Sequence, residues 1–282
     1  MRSRPCHKPE TSLRNTIRRT RSNRSEELRG RVAVVTGVGR RRGIGSAVCR
    51  ALAARGADVA LSYWKAYDRE MPWDSDEDES RRLVEELRGA GVRAEAIEVD
   101  LSLAESPKEL LDAAEARLGI PSILVNAAAH STHDGYESLD AETIDAHYAV
   151  NVRAVALLSV LFARRYPGGP GGRIVNFSSG QSLGPMEEEL AYGMTKGAIE
   201  AFTRSLAAGV GHKGITVNAV NPGPTDTGWM TEELGLELLP KFPAGRIGQP
   251  EDAARLVAFL AGDEAAWITG QTIHSEGGFV RR

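Results

Sequence analysis

Short apolar runs alternate with longer amphipathic stretches along most of the sequence. The first run, residues 31–36, is rich in β-branched residues, which is typical of a buried strand. In the stretch that follows, Val48, Ala51 and Leu52 recur at helical spacing on one side. The same alternation predicts strands near 31–36, 58–63, 92–98, 121–126, 172–177, 215–220 and 271–274, and helices near 44–55, 77–90, 106–118, 140–166, 191–212 and 250–262. This alternation favours an α/β fold, a single doubly wound Rossmann-type domain with a mainly parallel seven-stranded sheet and helices on both faces.

Length and composition agree with this architecture. The chain has 282 residues, of which 41% are hydrophobic, enough for a full core, although length alone allows one or two domains. The two cysteines, Cys6 and Cys49, are far apart and predict no disulfide framework, which favours a reducing, cytoplasmic location. Apolar runs are shorter than the roughly 18–20 residues that span a bilayer, so we expect no membrane segment.

Charge is distributed unevenly along the chain. Residues 1–29 carry nine Lys/Arg and three Asp/Glu, out of 35 and 38 in the whole sequence. Residues 30–282 are therefore acidic overall, which argues against nucleic acid as a partner. We expect residues 1–29 to be a disordered basic extension and residues 30–282 to be the folded domain. A transit peptide or a nucleic-acid-binding arm is an alternative for the extension, but we favour a tail, or an upstream extension with no function.

A glycine-rich turn follows the first strand. Gly37, Gly43 and Gly45 stand between that strand and the first helix, which is the context that a dinucleotide-binding turn requires. Glycines let the backbone approach a pyrophosphate, and a helix N-terminus offers it unpaired N–H groups and a positive dipole end. The turn therefore predicts a nucleotide phosphate site, with an ordinary tight turn as the alternative.

Tyr192 and Lys196 are four residues apart, and Ser179 precedes the tyrosine by thirteen residues. Residues at this spacing share one face of a helix, so the ammonium would lie beside the phenol and lower its pKa from about 10. A tyrosine tuned in this way exchanges a proton with a carbonyl or alcohol oxygen near neutral pH. Most isolated pairs of this kind are only solvated helix faces, and the interpretation depends on the accompanying motifs.

Two asparagines supply such motifs. Asn126 ends a buried strand and is followed by three alanines, small residues that let a strand end lie close to a flat ligand. A tightly packed strand–loop junction would show the same pattern. Asn151 lies within the long helical stretch at about 141–165, where it is either a satisfied buried amide, a kink or part of a proton relay.

As an ordered set, these residues resemble the short-chain dehydrogenase/reductase family, in the compact type that includes 3-oxoacyl-[acyl-carrier-protein] reductases. The similarity runs from about residue 30 to residue 279. The matching positions are Thr36-Gly37, Gly43-Ile44-Gly45, Asp100, Asn126-Ala127-Ala128, Asn151, Ser179, Tyr192, Lys196, residues 221–227, and the glycines at 245, 248, 270, 277 and 278. The chain departs from the family in having five residues, 38–42, where three are usual, and in replacing Asn-Asn-Ala-Gly by Asn126 and three alanines.

The resemblance implies a role for each matching residue. Tyr192 would protonate a substrate carbonyl oxygen while a nicotinamide gives hydride to the carbon. Lys196 would hold the nicotinamide ribose, Ser179 would bind the carbonyl oxygen, and Asn151 would hold a water that links Lys196 to solvent. The cofactor would contact Gly37, Arg40, Arg41, Arg42, Gly43, Ile44, Gly45, Asp100, Leu101, Asn126, Tyr192, Lys196, Pro222, Gly223 and Thr225.

The second strand predicts the type of cofactor. NAD-binding folds carry an acid at the end of this strand for the ribose 2′-hydroxyl, whereas residues 58–65 end without one. Arg40, Arg41, Arg42 and Lys65 would instead pair with a 2′-phosphate. We therefore expect NADP(H), with NAD(H) as the alternative because the acidic residues 74–79 would oppose a phosphate.

Two further segments have no counterpart in the motifs above. The apolar residues 227–244 follow the sixth strand and predict a substrate lid, or otherwise a packed surface helix. Residues 74–79 show alternating acids but have Glu79 where a calcium loop needs glycine, so we interpret them as a helix start. The six histidines form no zinc pattern, and we expect no metal.

The expected function is reduction of a ketone or 3-oxoacyl compound by an NADP(H)-dependent homotetramer. The alternatives are an NAD-dependent alcohol dehydrogenase and a non-catalytic dinucleotide-binding protein. Glu187, Glu188 and Glu189 lie between the serine and the tyrosine, and would repel an acidic carrier protein. We therefore expect a free small-molecule substrate to be reduced better than a carrier-bound one.

Overall fold

The computed structural model describes residues 26–70 and 78–281. These residues form a seven-stranded sheet in the order β3-β2-β1-β4-β5-β6-β7, and every neighbouring pair of strands is parallel. The strands are β1 (Val32–Val35), β2 (Asp58–Tyr63), β3 (Ala94–Glu98), β4 (Ile123–Asn126), β5 (Gly172–Phe177), β6 (Ile215–Asn221) and β7 (Thr272–His274). The predicted doubly wound α/β fold is thus confirmed, with each strand within two residues of its predicted bounds.

Helices connect the strands and cover both faces of the sheet. They are α1 (Ile44–Ala53), α2 (Lys65–Glu70), α3 (Glu79–Gly89), α4 (Ser106–Leu118), α5 (Ala141–Tyr148), a π-helical turn (Ala149–Ala154), α6 (Val155–Arg165), α7 (Leu190–Val210), α8 (Glu232–Leu238) and α9 (Pro250–Ala261). The predicted helices are present, whereas α2 was not expected. Most of the acidic segment 74–79 lies outside the described residues, and Glu79 begins α3 as predicted.

The core consists of one apolar layer on each side of the sheet. Val35 and its neighbours pack against α1, α3 and α9, whereas Val34 and its neighbours pack against α4, α6 and α7. Strands covered on both faces read as continuous apolar runs, which is why the strands were recognisable in the sequence. Val155, Leu158, Phe162 and Ile199 are buried within this core.

The N-terminal boundary of the folded part lies slightly earlier than expected. Residues 1–25, on which most of the predicted basic extension falls, lie outside the described residues. The turn at residues 26–30 is packed, because Leu28 is fully buried. Glu27 pairs with Arg55 at 3.2 Å and accepts a hydrogen bond from Asp263 N at 3.0 Å. Residues 26–29 therefore belong to the folded domain.

One continuous helical stretch, Ala141–Arg165, is long and apolar enough to cross a membrane by length and composition alone. The apolar runs in the sequence had predicted no segment of this length. Half of its most apolar window is buried against the rest of the protein, which is what the core helix of a globular fold also shows. The π-helical turn in its middle contains Asn151, so that the helix is irregular at the position where it faces the site.

The chain reverses its winding direction between β1 and β4. These two strands are neighbours in the sheet, and their connections leave toward opposite edges. Their carboxyl ends are tied together by the Thr36 hydroxyl, which accepts hydrogen bonds from Ala127 N and Ala128 N, both at 3.1 Å. Parallel α/β sheets bind ligands at such a switch point, beyond the carboxyl ends of the strands.

Candidate active site

Three predicted catalytic side chains meet beyond the ends of β5 and β6. Tyr192 is the third residue of α7, and Lys196 follows one turn later. The Lys196 Nζ lies 5.1 Å from the centroid of the Tyr192 ring and donates a hydrogen bond to Phe177 O at 3.0 Å. The Ser179 side chain lies close enough to the Tyr192 hydroxyl to lower its pKa. The structure therefore brings the predicted serine, tyrosine and lysine together, and their catalytic roles stay predictions.

The electrostatics of this group differ from the sequence-based expectation. Burial raises the pKa of the Tyr192 hydroxyl above its ordinary value, and the Glu189 carboxyl adds to this, whereas the hydrogen bond from Ser179 opposes it. The expectation that Lys196 holds the Tyr192 pKa below 10 is therefore wrong for this structure. Burial also lowers the pKa of Lys196 to about 8. Desolvation is the largest cause of both shifts, with Lys196 buried and Tyr192 half-buried.

The raised pKa keeps the Tyr192 hydroxyl protonated at neutral pH. A phenol that stays protonated across the neutral range is ready to give its proton to an oxygen on which negative charge develops. Ser179 lies beside the same hydroxyl and is placed to hydrogen-bond that oxygen as well. The arrangement therefore supports acid catalysis at a carbonyl group.

Asn151 occupies the π-helical turn and is fully buried. Its amide nitrogen donates to His130 O at 2.8 Å and to Thr195 Oγ1 at 3.1 Å, and its oxygen accepts from His130 N at 2.8 Å. Thr195 in turn donates to Tyr192 O at 2.7 Å. The Asn151 side chain thus ties the loop after β4 to the helix that carries the tyrosine. Its assigned contact with a water beside Lys196 stays a prediction.

The glycine turn leaves room where side chains would collide. A Cβ at Gly37, which has φ +74°, would lie 2.6 Å from Ala128 Cα, and a Cβ at Gly45 would lie 2.5 Å from Gly37 O. Helix α1 begins at Ile44, and its N-cap residue is Gly43, which has no side chain to occupy the first N–H groups. A turn with this close backbone approach and an uncovered helix N-terminus fits a dinucleotide pyrophosphate.

The three arginines of the turn contact protein groups. Arg40 reaches across the cleft and donates to Thr227 O at 2.9 Å and Thr227 Oγ1 at 3.3 Å. Arg41 pairs with Glu86 at 2.8 Å, and Arg42 pairs with Asp226 at 3.0 Å. A 2′-phosphate would have to compete with these partners, and the pairing of the arginines with it stays a prediction.

The remaining predicted cofactor residues lie at strand ends along the same edge. Asp100 follows β3 and accepts from Ser102 N at 2.8 Å, and the neighbouring Leu101 is buried. Asn126 is buried and donates to Asn176 Oδ1 at 2.8 Å, so its amide braces β4 against β5.

The loop after β6 completes this edge. Pro222 directly follows Asn221, whose side-chain oxygen accepts from Gly223 N at 2.9 Å. Gly223 has φ +64°, and the Thr225 hydroxyl donates to Gly223 O at 3.1 Å. The loop is therefore rigidly folded on itself at the end of the strand.

Two residues near the site had no signal in the sequence, and a third, Glu189, lies in an environment that the sequence did not predict. Tyr67, on the unpredicted helix α2, packs its ring against His130, with 5.7 Å between the centroids. Asp68, on the same helix, lies against the turn so closely that a Cβ at Gly39 would be 1.8 Å from its Oδ2. Glu189 is half-buried, and burial raises the pKa of its carboxyl. The short helix α2 and the loop before α7 follow paths that the periodicity of the sequence does not predict.

Comparison with known proteins places the chain in a family. A family model described as enoyl-(acyl carrier protein) reductase matches residues 37–280. The uncharacterized oxidoreductase YjdA of Bacillus subtilis is 52% identical over 253 residues, covering 89% of this chain and 97% of that protein. The chloroplastic NADPH-dependent aldehyde reductase-like protein of Arabidopsis thaliana is 36% identical over 261 residues, covering 90% of this chain and 95% of that protein.

A solved structure is also similar. A short chain dehydrogenase from Burkholderia cenocepacia J2315, in complex with NADP, superposes with a TM-score of 0.80 at 34% identity and covers 89% of this chain and 98% of that one. The chain therefore belongs to the short-chain dehydrogenase/reductase family, and it is an oxidoreductase that acts on CH–OH or C=O groups.

Proposed function

We propose that this enzyme is an NADP(H)-dependent carbonyl reductase that converts a ketone or 3-oxoacyl compound to the hydroxy product. The observation that carries the proposal is the Ser179–Tyr192 hydroxyl pair beside the buried Lys196. A protonated phenol has a proton to give to the carbonyl oxygen, which is the step that reduction requires. Alcohol oxidation would use the same hydroxyl, deprotonated, as a base, so the preferred cofactor and substrate decide between the two directions.

Each residue of the site has a separate task in this proposal. When bound, the dihydronicotinamide supplies the hydride that adds to the carbonyl carbon. Tyr192 donates its proton to the carbonyl oxygen, and Ser179 hydrogen-bonds that oxygen as its charge develops. Lys196 holds the ribose hydroxyls, for which its ammonium needs to exchange the hydrogen bond to Phe177 O. The Gly37 and Gly45 backbone and the start of α1 accommodate the pyrophosphate.

Support for NADP(H) comes from relatives and from the end of β2. Two of the similar proteins are described by NADPH dependence or by bound NADP. Lys65 directly follows Trp64 at the end of this strand, and its Nζ lies 6.0 Å from the centroid of the Tyr63 ring. We propose that Lys65 pairs with the 2′-phosphate. Asp68 beside the glycine turn opposes this charge and is the feature that favours NAD(H).

The substrate is proposed to be a free small molecule. Glu187 and Glu188 are exposed in the loop between Ser179 and Tyr192, and Glu189 lies half-buried near the Tyr192 hydroxyl. An acidic rim slows the approach of an acidic carrier protein. Matched acetoacetyl substrates test this: the free thioester should give the higher kcat/KM, and a carrier-bound form that wins more strongly at low salt would contradict it.

We also propose a cytoplasmic homotetramer that contacts neither nucleic acid nor membrane. Val155, Leu158, Phe162 and Ile199 on α6 and α7 are buried within the subunit, so they leave no surface for an interface. Leu157 on α6 and Met194 on α7 are instead exposed, at 37% and 54%, on the same pair of helices. Light scattering at micromolar concentration should give four subunits, and a monomer would refute the proposal.

A purified-protein screen tests the proposed activity directly. Ketones, aldehydes, 3-oxoacyl thioesters and alcohols are offered with NADPH, NADH and their oxidised forms, and turnover is followed by nicotinamide absorbance. We expect carbonyl reduction with NADPH at the highest kcat/KM. Preference for an alcohol and NAD would support the dehydrogenase instead. Tight cofactor binding without turnover on any compound would indicate a non-catalytic dinucleotide-binding protein.

A further inference from the structure

One buried carboxylate fastens the loop after β4 to the catalytic helix. The Asp134 side chain is buried, with 5% of the residue exposed. Its Oδ1 accepts hydrogen bonds from Leu190 N at 2.6 Å and Ala191 N at 3.3 Å, and its Oδ2 accepts from Ala191 N at 3.2 Å. Leu190 is the first residue of α7. Asp134 therefore satisfies N–H groups that the first turn of a helix leaves unpaired, and its charge complements the positive end of the helix dipole.

This cap comes from a distant segment rather than from the helix's own N-cap residue. Glu189 precedes α7, and its side chain makes no capping hydrogen bond. The backbone reinforces the attachment, because Asp134 N donates to Glu188 O at 2.8 Å. Asp134 and Glu189 also form an isolated parallel β-bridge. The loop and the start of α7 are thus joined by both side-chain and main-chain contacts.

The other end of the loop is fixed to the opposite wall of the site. Asn151 holds both main-chain groups of His130, each at 2.8 Å. The buried His147 accepts at Nε2 from Thr132 N at 3.3 Å, while its Nδ1 contacts Thr143 O at 2.8 Å. Residues 130–134 therefore form a short brace between the π-helical turn, α5 and α7.

Tyr192 lies in the turn that this brace holds. Helix ends fray more readily than helix interiors, and the tyrosine is only two residues from Leu190. A hydroxyl that has to meet both Ser179 and a substrate oxygen needs that turn in one position. A displacement of about 1 Å at a catalytic group costs on the order of a hundredfold in rate.

We propose that Asp134 is a positioning residue that holds the first turn of α7, and with it the Tyr192 hydroxyl, in the geometry for proton transfer. The inference rests on the proposed role of Tyr192 as proton donor. The cofactor side of the cleft, at the glycine turn and α1, does not depend on this contact. Loss of Asp134 should therefore lower kcat and leave cofactor affinity nearly unchanged.

The experiment compares Asp134→Ala and Asp134→Asn with Asp140→Ala. Asp140 is a matched control because it caps a different helix, α5, by accepting from Thr143 N at 2.8 Å. Three quantities are measured for each variant: kcat, the cofactor Kd, and the hydrogen–deuterium exchange of residues 190–196. The exchange reports the order of the first turn of α7 without any turnover.

We expect Asp134→Ala to lower kcat about a hundredfold, to speed exchange at residues 190–196 at least about tenfold, and to change the cofactor Kd by less than about threefold. Asp134→Asn keeps one acceptor oxygen, so its kcat and its exchange rate should both lie between those of Asp134→Ala and those of the wild type. Asp140→Ala should leave kcat and the exchange of α7 unchanged.

If the hydrogen–deuterium exchange of residues 190–196 is the same in Asp134→Ala as in the wild type, the proposal is overturned, whatever the value of kcat. An equal loss of kcat in Asp140→Ala would also overturn it, because a general loss of stability would then explain both. If Asp134→Ala does not fold, the same three measurements are made on Asp134→Asn. Unchanged kcat and unchanged hydrogen–deuterium exchange of residues 190–196 in that variant would contradict the proposal. A wild type without carbonyl turnover would refute the proposed function alone, since the exchange measurement still tests Asp134.

Discussion

Replacing Lys196 by methionine should make the folded protein more stable while removing most of its activity. Burial lowers the pKa of Lys196 from 10.5 to about 8. At about 1.4 kcal/mol for each pH unit of that difference, burying the ammonium costs about 3 kcal/mol at neutral pH. Methionine has a similar length and no charge, so the substitution removes this cost.

The gain is partly offset by the hydrogen bond that is lost. Lys196 Nζ donates to Phe177 O at 3.0 Å, and losing such a bond costs about 1–2 kcal/mol. The net gain at pH 7 is then about 1–2 kcal/mol, which corresponds to a rise in Tm of roughly 2–8 °C for a protein of this size. The activity should fall at least about a hundredfold, because the ribose hydroxyls lose their partner.

The lowered pKa of Lys196 also predicts how the stability of the wild type changes with pH. Below about pH 8 the lysine is charged in both the folded and the unfolded protein, so the full cost of burial is present. Between about pH 8 and 10.5 the folded protein holds fewer protons than the unfolded chain, and the stability of the wild type rises with pH. The advantage of Lys196→Met should therefore be largest at pH 7 and shrink toward pH 10.

Thermal unfolding of the wild type, Lys196→Met and Lys213→Met at pH 7 and pH 10 is the assay. Lys213 is a matched control because it also donates to a main-chain carbonyl, Ala163 O, but is only half-buried. The control should lose stability at both pH values. A Lys196→Met protein that is less stable than the wild type at pH 7, or whose difference from it does not change with pH, would refute the reasoning.

Three other substitutions test the rest of the site. Ser179→Ala should lower kcat about a hundredfold with little change in cofactor Kd, as measured by steady-state kinetics and titration, because it removes a donor to the developing oxyanion. Gly45→Ala should weaken cofactor binding at least about tenfold, because the added Cβ would lie 2.5 Å from Gly37 O. Gly209→Ala is the control: its added Cβ would have no neighbour within 4 Å, and that variant should bind the cofactor normally. Lys65→Glu should lower kcat/KM with NADPH about tenfold or more and spare NADH, and an equal loss with both would remove Lys65 from 2′-phosphate recognition.

The sequence predicted the fold and the proximity of the candidate residues Tyr192 and Lys196 because both depend on local spacing. Buried parallel strands leave continuous apolar runs, and one helical turn brings Tyr192 and Lys196 together wherever that helix lies. The direction of the Tyr192 pKa was predicted incorrectly, because it depends on how far the loops remove the phenol from water. Asp134 gave no signal, because its partners Leu190 and Ala191 are more than fifty residues away and present only backbone N–H groups.

The partners of the arginines in the glycine turn could not be predicted from the sequence either. Their number and position in the sequence suggested a phosphate site, whereas their actual partners, such as Thr227 and Asp226, come from the segment after β6. The short helix α2 was missed because six residues are too few for helical periodicity to stand out. Contacts between loops at the edge of a sheet are set by the tertiary fold, and one sequence does not encode them as a pattern.

The most direct test of the account is Tyr192→Phe, measured with the best carbonyl substrate of the screen. The substitution keeps the ring and removes the proton donor alone. We predict that the rate of carbonyl reduction falls at least about a hundredfold while the cofactor Kd stays within about threefold of the wild type. Near-normal reduction by the purified variant would contradict the role of Tyr192 and, with it, the proposed mechanism.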